Sequence, residues 1–441
     1  MRELNDHGTP KTLSSEVYSA MQLYTINEPL LPNLTTLKLG RVEKSFISFI
    51  PLFLSPTTTS ISFGFDAPLP PKFVVASMII NLPTLCPNLQ DINLFSLPRD
   101  PMITTAVSRM VCSANRNALR NFHVDSPLTE EAREAISKSQ NLRALSVVTG
   151  NGTSISSASL PNLKSLQIEC EDGGDWLQLL RGATFGKLES VNFYLKSRPI
   201  GDFLEAFEEA ALSSSIQNTL SAIHFFAIDD PGPWSWNPNY SSLLPFTQLV
   251  YLNIESSCDD RCSRVDDDIV IDISRAMPEL KHLELGIGPC CVFTGGATAK
   301  GLVALAHNCP NLSCLSVHFQ VASLSDPPTG LERSYDAGYS ASWTGCALTK
   351  LEVGEMLGPE ESAPMVALTL LRIFPRLEDI NFMDEGWEEV RDMIRCSKRI
   401  LDCSSKYHYF AIPRNTSLTL LRSQYYDRQL GERGMGGTAH S

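Results

Sequence analysis

Leu160-Pro161-Asn162-Leu163-Lys164-Ser165-Leu166-Gln167-Ile168 is the stretch whose reading decides the fold. Apolar residues stand at 163, 166 and 168 with polar residues between them, the frame L-x-x-L-x-L. Its last part alternates apolar and polar, the mark of a short strand with one buried face. Cys309-Pro310-Asn311-Leu312-Ser313-Cys314-Leu315-Ser316-Val317 is nearly the same sentence, and residues 86–94, 277–285 and 374–382 follow the same plan. A recurring unit of this size buries its apolar face against its neighbours, so it governs the whole chain.

Working outward, the frame occurs at Leu34/Leu37/Leu39, in a degenerate copy at 58–63, and then at Leu89/Ile92/Leu94, Leu119/Phe122/Val124 and Leu142/Leu145/Val147. After Leu163/Leu166/Ile168 come Leu188/Val191/Phe193, Leu220/Ile223/Phe225, Leu249/Leu252/Ile254 and Leu280/Leu283/Leu285. Leu312/Leu315/Val317, Leu348/Leu351/Val353 and Leu377/Ile380/Phe382 close the series, about thirteen frames spaced roughly 21 to 36 residues apart. The longer spacings leave room for a helix, and the links at 130–136, 202–212, 268–277, 299–308 and 365–374 have helical periodicity. Thr129 is placed to cap the first of these, and Phe203, Leu204, Phe207, Ala211 and Leu212 fall near one face of the second. The expected fold is an α/β leucine-rich-repeat solenoid, a ribonuclease-inhibitor-like horseshoe. Its parallel sheet lines the concave side and its helices the convex side.

The expected organisation is a polar lead-in over 1–29, repeats over 30–396, a C-terminal extension over 397–424 and a disordered Gly-rich tail over 425–441. Two links exceed a plain turn: 228–245, with Trp234 and Trp236, and 323–345, with Trp343. A net charge of −13 argues against nucleic acid and anionic membrane as partners, since both require clustered Lys and Arg. The first residues have no signal-peptide core, and the longest apolar run, about ten residues at 73–82, is too short to span a bilayer. The expected location is therefore cytoplasmic or nuclear. The twelve cysteines are read as reduced, with Cys86, Cys170, Cys309 and Cys314 filling small places in or beside the frame.

The sequence offers no reaction. Cys258-x-x-x-Cys262 lacks a second pair of zinc ligands nearby, and Cys290-Cys291 is too close to itself to chelate. Asp266-Asp267-Asp268 lacks the alternation and glycine of a calcium loop, and is better read as acids at a helix N-terminus. Gly173-Gly174 and Gly295-Gly296 make no phosphate loop, and neither G-x-S-x-G nor H-E-x-x-H occurs. No metal, no cofactor and no catalytic residue is expected.

The repeat makes a different kind of site. Successive strand residues alternate in direction, so the residues between the frame positions face away from the core. Stacked, their middle column reads Lys38, Ser62, Asn93, His123, Ser146, Gln167, Asn192, His224, Asn253, Glu284, Ser316, Glu352 and Asn381. Flanking columns add Phe95, Asp125, Glu169, Tyr194, Phe226, Tyr251, Glu255, His282, His318, Asp379 and Met383. The stretch from Tyr194 to His318 is richest in aromatics, His and carboxylates. It is the expected partner surface, carried by Tyr194, His224, Phe226, Tyr251, Glu255, His282, Glu284 and His318. The three histidines are expected to make the contact pH-sensitive near neutrality. Cross-strand pairing within the sheet is the other reading of any one of these residues.

Residues 277–285 and 298–312, with 348–382, resemble the repeat region of F-box/leucine-rich-repeat proteins of the kind abundant in mushroom-forming fungi; the likeness spans about 18–396. The resemblance implies that the repeats recognise a protein substrate for a ubiquitin ligase. The F-box signature, Leu-Pro-x-Glu followed by Ile or Leu, is not found before the first frame, so binding of the ligase adaptor is not expected of this sequence. The alternative is an adaptor-independent scaffold or inhibitor with the same kind of surface.

Overall fold

The computed structural model describes residues 2–6, 16–17, 20–21, 29–44, 46–65, 67–149, 158–170, 183–195, 200–227, 239–256, 265–285, 296–325, 346–354, 359, 362–382 and 384–406. Among them, fourteen strands form one all-parallel sheet in chain order: β1 Glu3–Asp6, β2 Thr36–Val42, β3 Ser60–Phe65, β4 Asp91–Phe95, β5 Asn121–Pro127, β6 Ala144–Thr149, β8 Ser165–Cys170, β10 Ser190–Leu195, β11 Ala222–Ala227, β12 Tyr251–Ser256, β13 His282–Leu285, β14 Cys314–Val317, β15 Lys350–Gly354 and β16 Asp379–Phe382. Two short strands, β7 Ala158–Leu160 and β9 Ala183–Phe185, pair only with each other. Each of the thirteen frames is a strand of the large sheet. The sheet also starts before the first frame, because β1 inside the polar lead-in pairs with β2.

The frame sets the register. Leu37, Ile61, Ile92, Phe122, Leu145, Leu166, Val191, Ile223, Leu252, Leu283, Leu315, Leu351 and Ile380 are successive partners across the sheet. All are buried. A slip of one residue on any strand would turn this column toward the opposite face, which is why the register holds across twelve joins. In the degenerate copy Thr58 takes the leucine place and is buried. Its hydroxyl donates to the Leu34 carbonyl at 3.0 Å, so the missing apolar group is replaced by a satisfied polar one.

Helices fill the links: α1 Lys72–Leu85, α2 Pro101–Ser113, α3 Glu130–Ser137, α4 Ile200–Ser214, α5 Asp267–Ala276, α6 Ala299–Asn308, α7 Val321–Ser325, α8 Ala363–Ile373 and α9 Glu388–Lys406. Their inner faces join the strand leucines in one continuous core. Where the frames are only 21 and 25 residues apart, β7 and β9 continue that layer, lying beside α3 and α4. Helix α9 runs through position 396, where the sequence placed the end of the repeats.

Three local expectations change. On α4, Leu212 is 45% exposed and Ala210 is buried in its place, because the turn past Ala211 carries residue 212 away from the sheet. Thr129 occupies the cap position of α3 but its hydroxyl makes no cap bond there. Asp266 does cap α5, accepting from the Ile269 N–H at 3.0 Å. Asp267 instead crosses to the next unit and accepts from the Thr298 N–H (2.7 Å), the Thr298 hydroxyl (2.6 Å) and the Gly301 N–H (2.9 Å) at the start of α6. A Cβ at position 301 would lie 2.6 Å from that carboxylate, so glycine is what lets it approach.

Residues 228–238 with Trp234 and Trp236, residues 326–345 with Trp343, the cysteines at 258, 262, 290 and 291, Met383 and the 425–441 tail lie outside the described residues. Among the described residues no helix is long and apolar enough to cross a membrane.

Candidate functional site

The sheet face away from the helices carries the middle column in the order given above. Asn192, His224, Asn253, Glu284 and Ser316 are direct partners from β10 to β14. One row flanks it with Tyr194, Phe226 and Glu255, the other with Tyr251, His282 and Cys314. Beneath them the core is aromatic. Phe193 stacks on Phe225 at 5.2 Å, and Phe203 and Phe207 of α4 meet both rings edge-on at 5.1 to 5.5 Å. Such pairs contribute beyond their area, so strands β10 and β11 stand on a stiff floor.

On the open side Tyr194 packs edge-on against His224 at 5.9 Å and tilts against Phe226 at 6.0 Å. Tyr251 stacks on His282 at 4.3 Å. Asn253, 3% exposed, organises the acids: its amide donates to Glu255 Oε1 at 2.5 Å and to Glu284 Oε2 at 3.0 Å. His224 Nε2 lies 3.7 Å from Glu255, and His282 Nε2 lies 3.4 Å from Glu284. The two carboxylates are therefore held by one buried amide and face one imidazole each.

The two imidazoles shift in opposite directions. Burial pushes the His224 pKa down, only partly offset by Glu255 and Glu284. His282 is raised to about 9, first by its hydrogen bond with Cys314 and then by Glu284. His318 is the most covered of the eight candidates, 3% exposed. The chain leaves β14 after Val317, the His318 carbonyl accepts from the Ala297 N–H at 3.0 Å, and Phe319 bridges to Ala297. Seven of the eight candidates, Tyr194, His224, Phe226, Tyr251, Glu255, His282 and Glu284, thus share one patch. Cys314 corrects a second expectation, since it is half-exposed on this face while Cys86, Cys170 and Cys309 are buried.

A further feature escaped the reading by columns. Arg120, Arg143 and Lys164 occupy the first x of L-x-x-L in three consecutive frames. Their backbones step directly onto one another, Arg143 N–H to the Arg120 carbonyl at 2.6 Å and Lys164 N–H to the Arg143 carbonyl at 2.8 Å. With Lys187, Asn141 and Asn162 they line a cavity of about 540 Å³ at the edge where the strands begin. In a chain of charge −13 this basic row is a local exception, and its signal was the recurrence of a cation at one frame position. Lys164 is paired with Glu189 at 2.5 Å. Among the described residues no three His, Cys, Asp or Glu side chains converge as a metal site requires. A scan against family models matches none, and no curated protein matches the chain.

Proposed function

We propose that this chain is a protein-recognition module, a leucine-rich-repeat solenoid of the horseshoe kind whose open, concave sheet face holds a protein partner. The observation that carries the reading is the patch over β10 to β13. There, half-buried Tyr194, Phe226 and Tyr251 lie beside Glu255 and Glu284, all held in place from below. Aromatic area ringed by fixed charge is the composition of an interface centre. The partner's matching segment is apolar with a Lys or Arg directed at the shared carboxylates. Thirteen frames whose middle apolar positions pair strand to strand, with the helices in one core on the other side, support the solenoid geometry. The F-box resemblance implies the same role, recognition of a protein substrate, and the role itself is binding without a reaction.

The test is affinity capture from source cells, followed by titration of the recovered partner. Tyr194→Ala with Tyr251→Ala weakens binding about tenfold or more, since aromatic anchors contribute about 2 kcal/mol or more each. Glu205→Ala with Glu209→Ala, exposed on α4, leaves binding unchanged. Loss of binding in the α4 variant with retention in the tyrosine variant places the partner on the helix side and ends this reading.

A further inference from the structure

We propose that the edge where β5 to β10 begin is a second interaction surface, a cleft that holds a short acidic peptide segment of a partner protein. The cleft is the cavity of about 540 Å³ lined by Arg120, Arg143, Lys164 and Lys187, within the size range of pockets that hold a ligand. Its cations come from neighbouring strand starts, since β5, β6, β8 and β10 are adjacent in the sheet. The patch proposed over β10 to β13 takes a cation on the sheet face. This edge takes an anion, and its role does not depend on that patch.

Two independent observations point to an anionic occupant. The first is charge left unanswered. Lys164 is paired with Glu189 at 2.5 Å, but Lys187 donates to Asn162 Oδ1 at 3.2 Å, a neutral acceptor. Among the described residues the guanidiniums of Arg120 and Arg143 have no carboxylate partner, and no carboxylate lines the cavity. This holds in a chain with 49 acidic residues against 36 basic ones. Like charges on adjacent strands are unfavourable, so the fold gains nothing from the row, and a bound anion relieves it. The second observation is shape. These cations stand in the walls of a concavity, where charge of one sign is focused on whatever enters. Lys281 is the contrast. It occupies the same frame position before β13, but its backbone steps onto Val250 and Ser313, and it lies outside the cavity as a lone cation of that row.

The lining also selects among anions. Asn141 Nδ2 donates to the Asn117 carbonyl at 2.7 Å, and Asn162 Nδ2 to the Gln140 carbonyl at 2.9 Å. The Asn141 Oδ1 is left as an acceptor, which suits a peptide N–H and nothing in a cluster of phosphates. No aromatic side chain lines the cavity for a base to stack on, and a net charge of −13 repels a long phosphate backbone. An acidic peptide supplies both halves: carboxylates for bidentate pairing with the two guanidiniums, and N–H groups for the carboxamide. From β5 to β10 is three strand spacings, roughly 14 Å, which about four residues of extended chain cover.

The experiment is fluorescence anisotropy with the full chain and a fluorescein-labelled hexaglutamate peptide. The peptide binds at low salt and is released as salt rises. Arg120→Gln with Arg143→Gln weakens it about tenfold or more without lowering the melting temperature, and Lys281→Gln leaves it unchanged. Tyr194→Ala with Tyr251→Ala also leaves it unchanged, which separates this edge from the concave patch. No binding by the parent chain, an undiminished affinity in the double arginine variant, or an equal loss in Lys281→Gln overturns the proposal. A loss in the tyrosine variant moves the peptide to the concave face and overturns it too. Tighter binding of inorganic tripolyphosphate or of a single-stranded oligonucleotide than of the peptide overturns the choice of an acidic peptide as occupant.

Discussion

The acids over β5 to β8 and those over β12 and β13 sit on the same sheet face, yet they hold different things. Asp125 accepts from the Leu97 N–H at 3.1 Å, and Glu169 pairs with Arg99 at 3.3 Å. Both partners come from the loop after β4, where Ser96 adopts a positive φ of 53°. These carboxylates fasten the chain to itself. Glu255 and Glu284 instead meet at the amide of Asn253 and face the rings of His224 and His282. Among the described residues, carboxylates on one sheet face thus serve as internal fastenings near β5 to β8 and as a clustered patch over β12 and β13.

The largest expected effect strikes what the two regions share. Leu166 is fully buried in the frame column between them, and Leu166→Asp places a charge in the core, costing ~4 kcal/mol or more. A thermal or denaturant melt with parent stability would remove the common floor from under the comparison. Asn253→Leu is next: two carboxylates lose one buried donor, for about 1–3 kcal/mol, and Asn253→Asp costs more because it adds a like charge. Asp125→Ala should instead speed amide exchange at Leu97 and leave the β12–β13 patch unaltered. If Asn253→Leu also frees the Leu97 amide, the two acidic regions are one network and the contrast dissolves.

The pH dependence sharpens the patch itself. A raised pKa means that the stabilisation from His282, which faces Cys314, Glu284 and Tyr251, is complete below its unfolded value of about 6.5 and fades as pH rises through about 9. His224 has the opposite sign. It faces Glu255, Glu284, His282 and Tyr194, its pKa is lowered, and its protonation removes stability as pH falls below about 6.5. In melts across pH 5 to 10, His282→Gln should therefore flatten the alkaline side and His224→Gln the acidic side. The reverse assignment would mean that the two rings have exchanged roles. The smallest effect belongs to the basic row. Arg143 stands between Arg120 and Lys164, and like charges on adjacent strands cost roughly 0.2–1 kcal/mol, so Arg143→Gln should slightly raise the melting temperature at low salt. An effect that survives high salt would not be charge repulsion.

The strands were legible because their buried positions recur. A leucine at 163, 166 or 280 answers to a core that every unit shares, and repetition multiplies a weak local signal. The middle column followed from alternation alone. Residues just beyond a strand were not legible. His318 looked like another half-buried flanking ring, but it is 3% exposed, beside a bridge between Phe319 and Ala297 that no local pattern encodes. Cys314 looked like a small core filler because Cys309, five residues earlier, is one. The difference is that Cys309 ends α6 in the core while Cys314 opens β14, and what stands beside Cys314 on β13 and β15 is a tertiary fact. The basic row was missed because net charge averages over a surface that is locally uneven.

Asp267 has a consequence for how the chain comes apart. In a sheet where each frame strand pairs only with the frame strands before and after it, each unit can fray with little penalty to the next unless something couples them. A carboxylate that leaves its own helix to close the first turn of the following one is such a coupling, and the missing side chain at Gly301 makes it tight. Opening α5 strands the amides of α6, so the two helices should exchange their protons with solvent as a single cooperative block, and a pull on one end of the molecule should find a knot of resistance there.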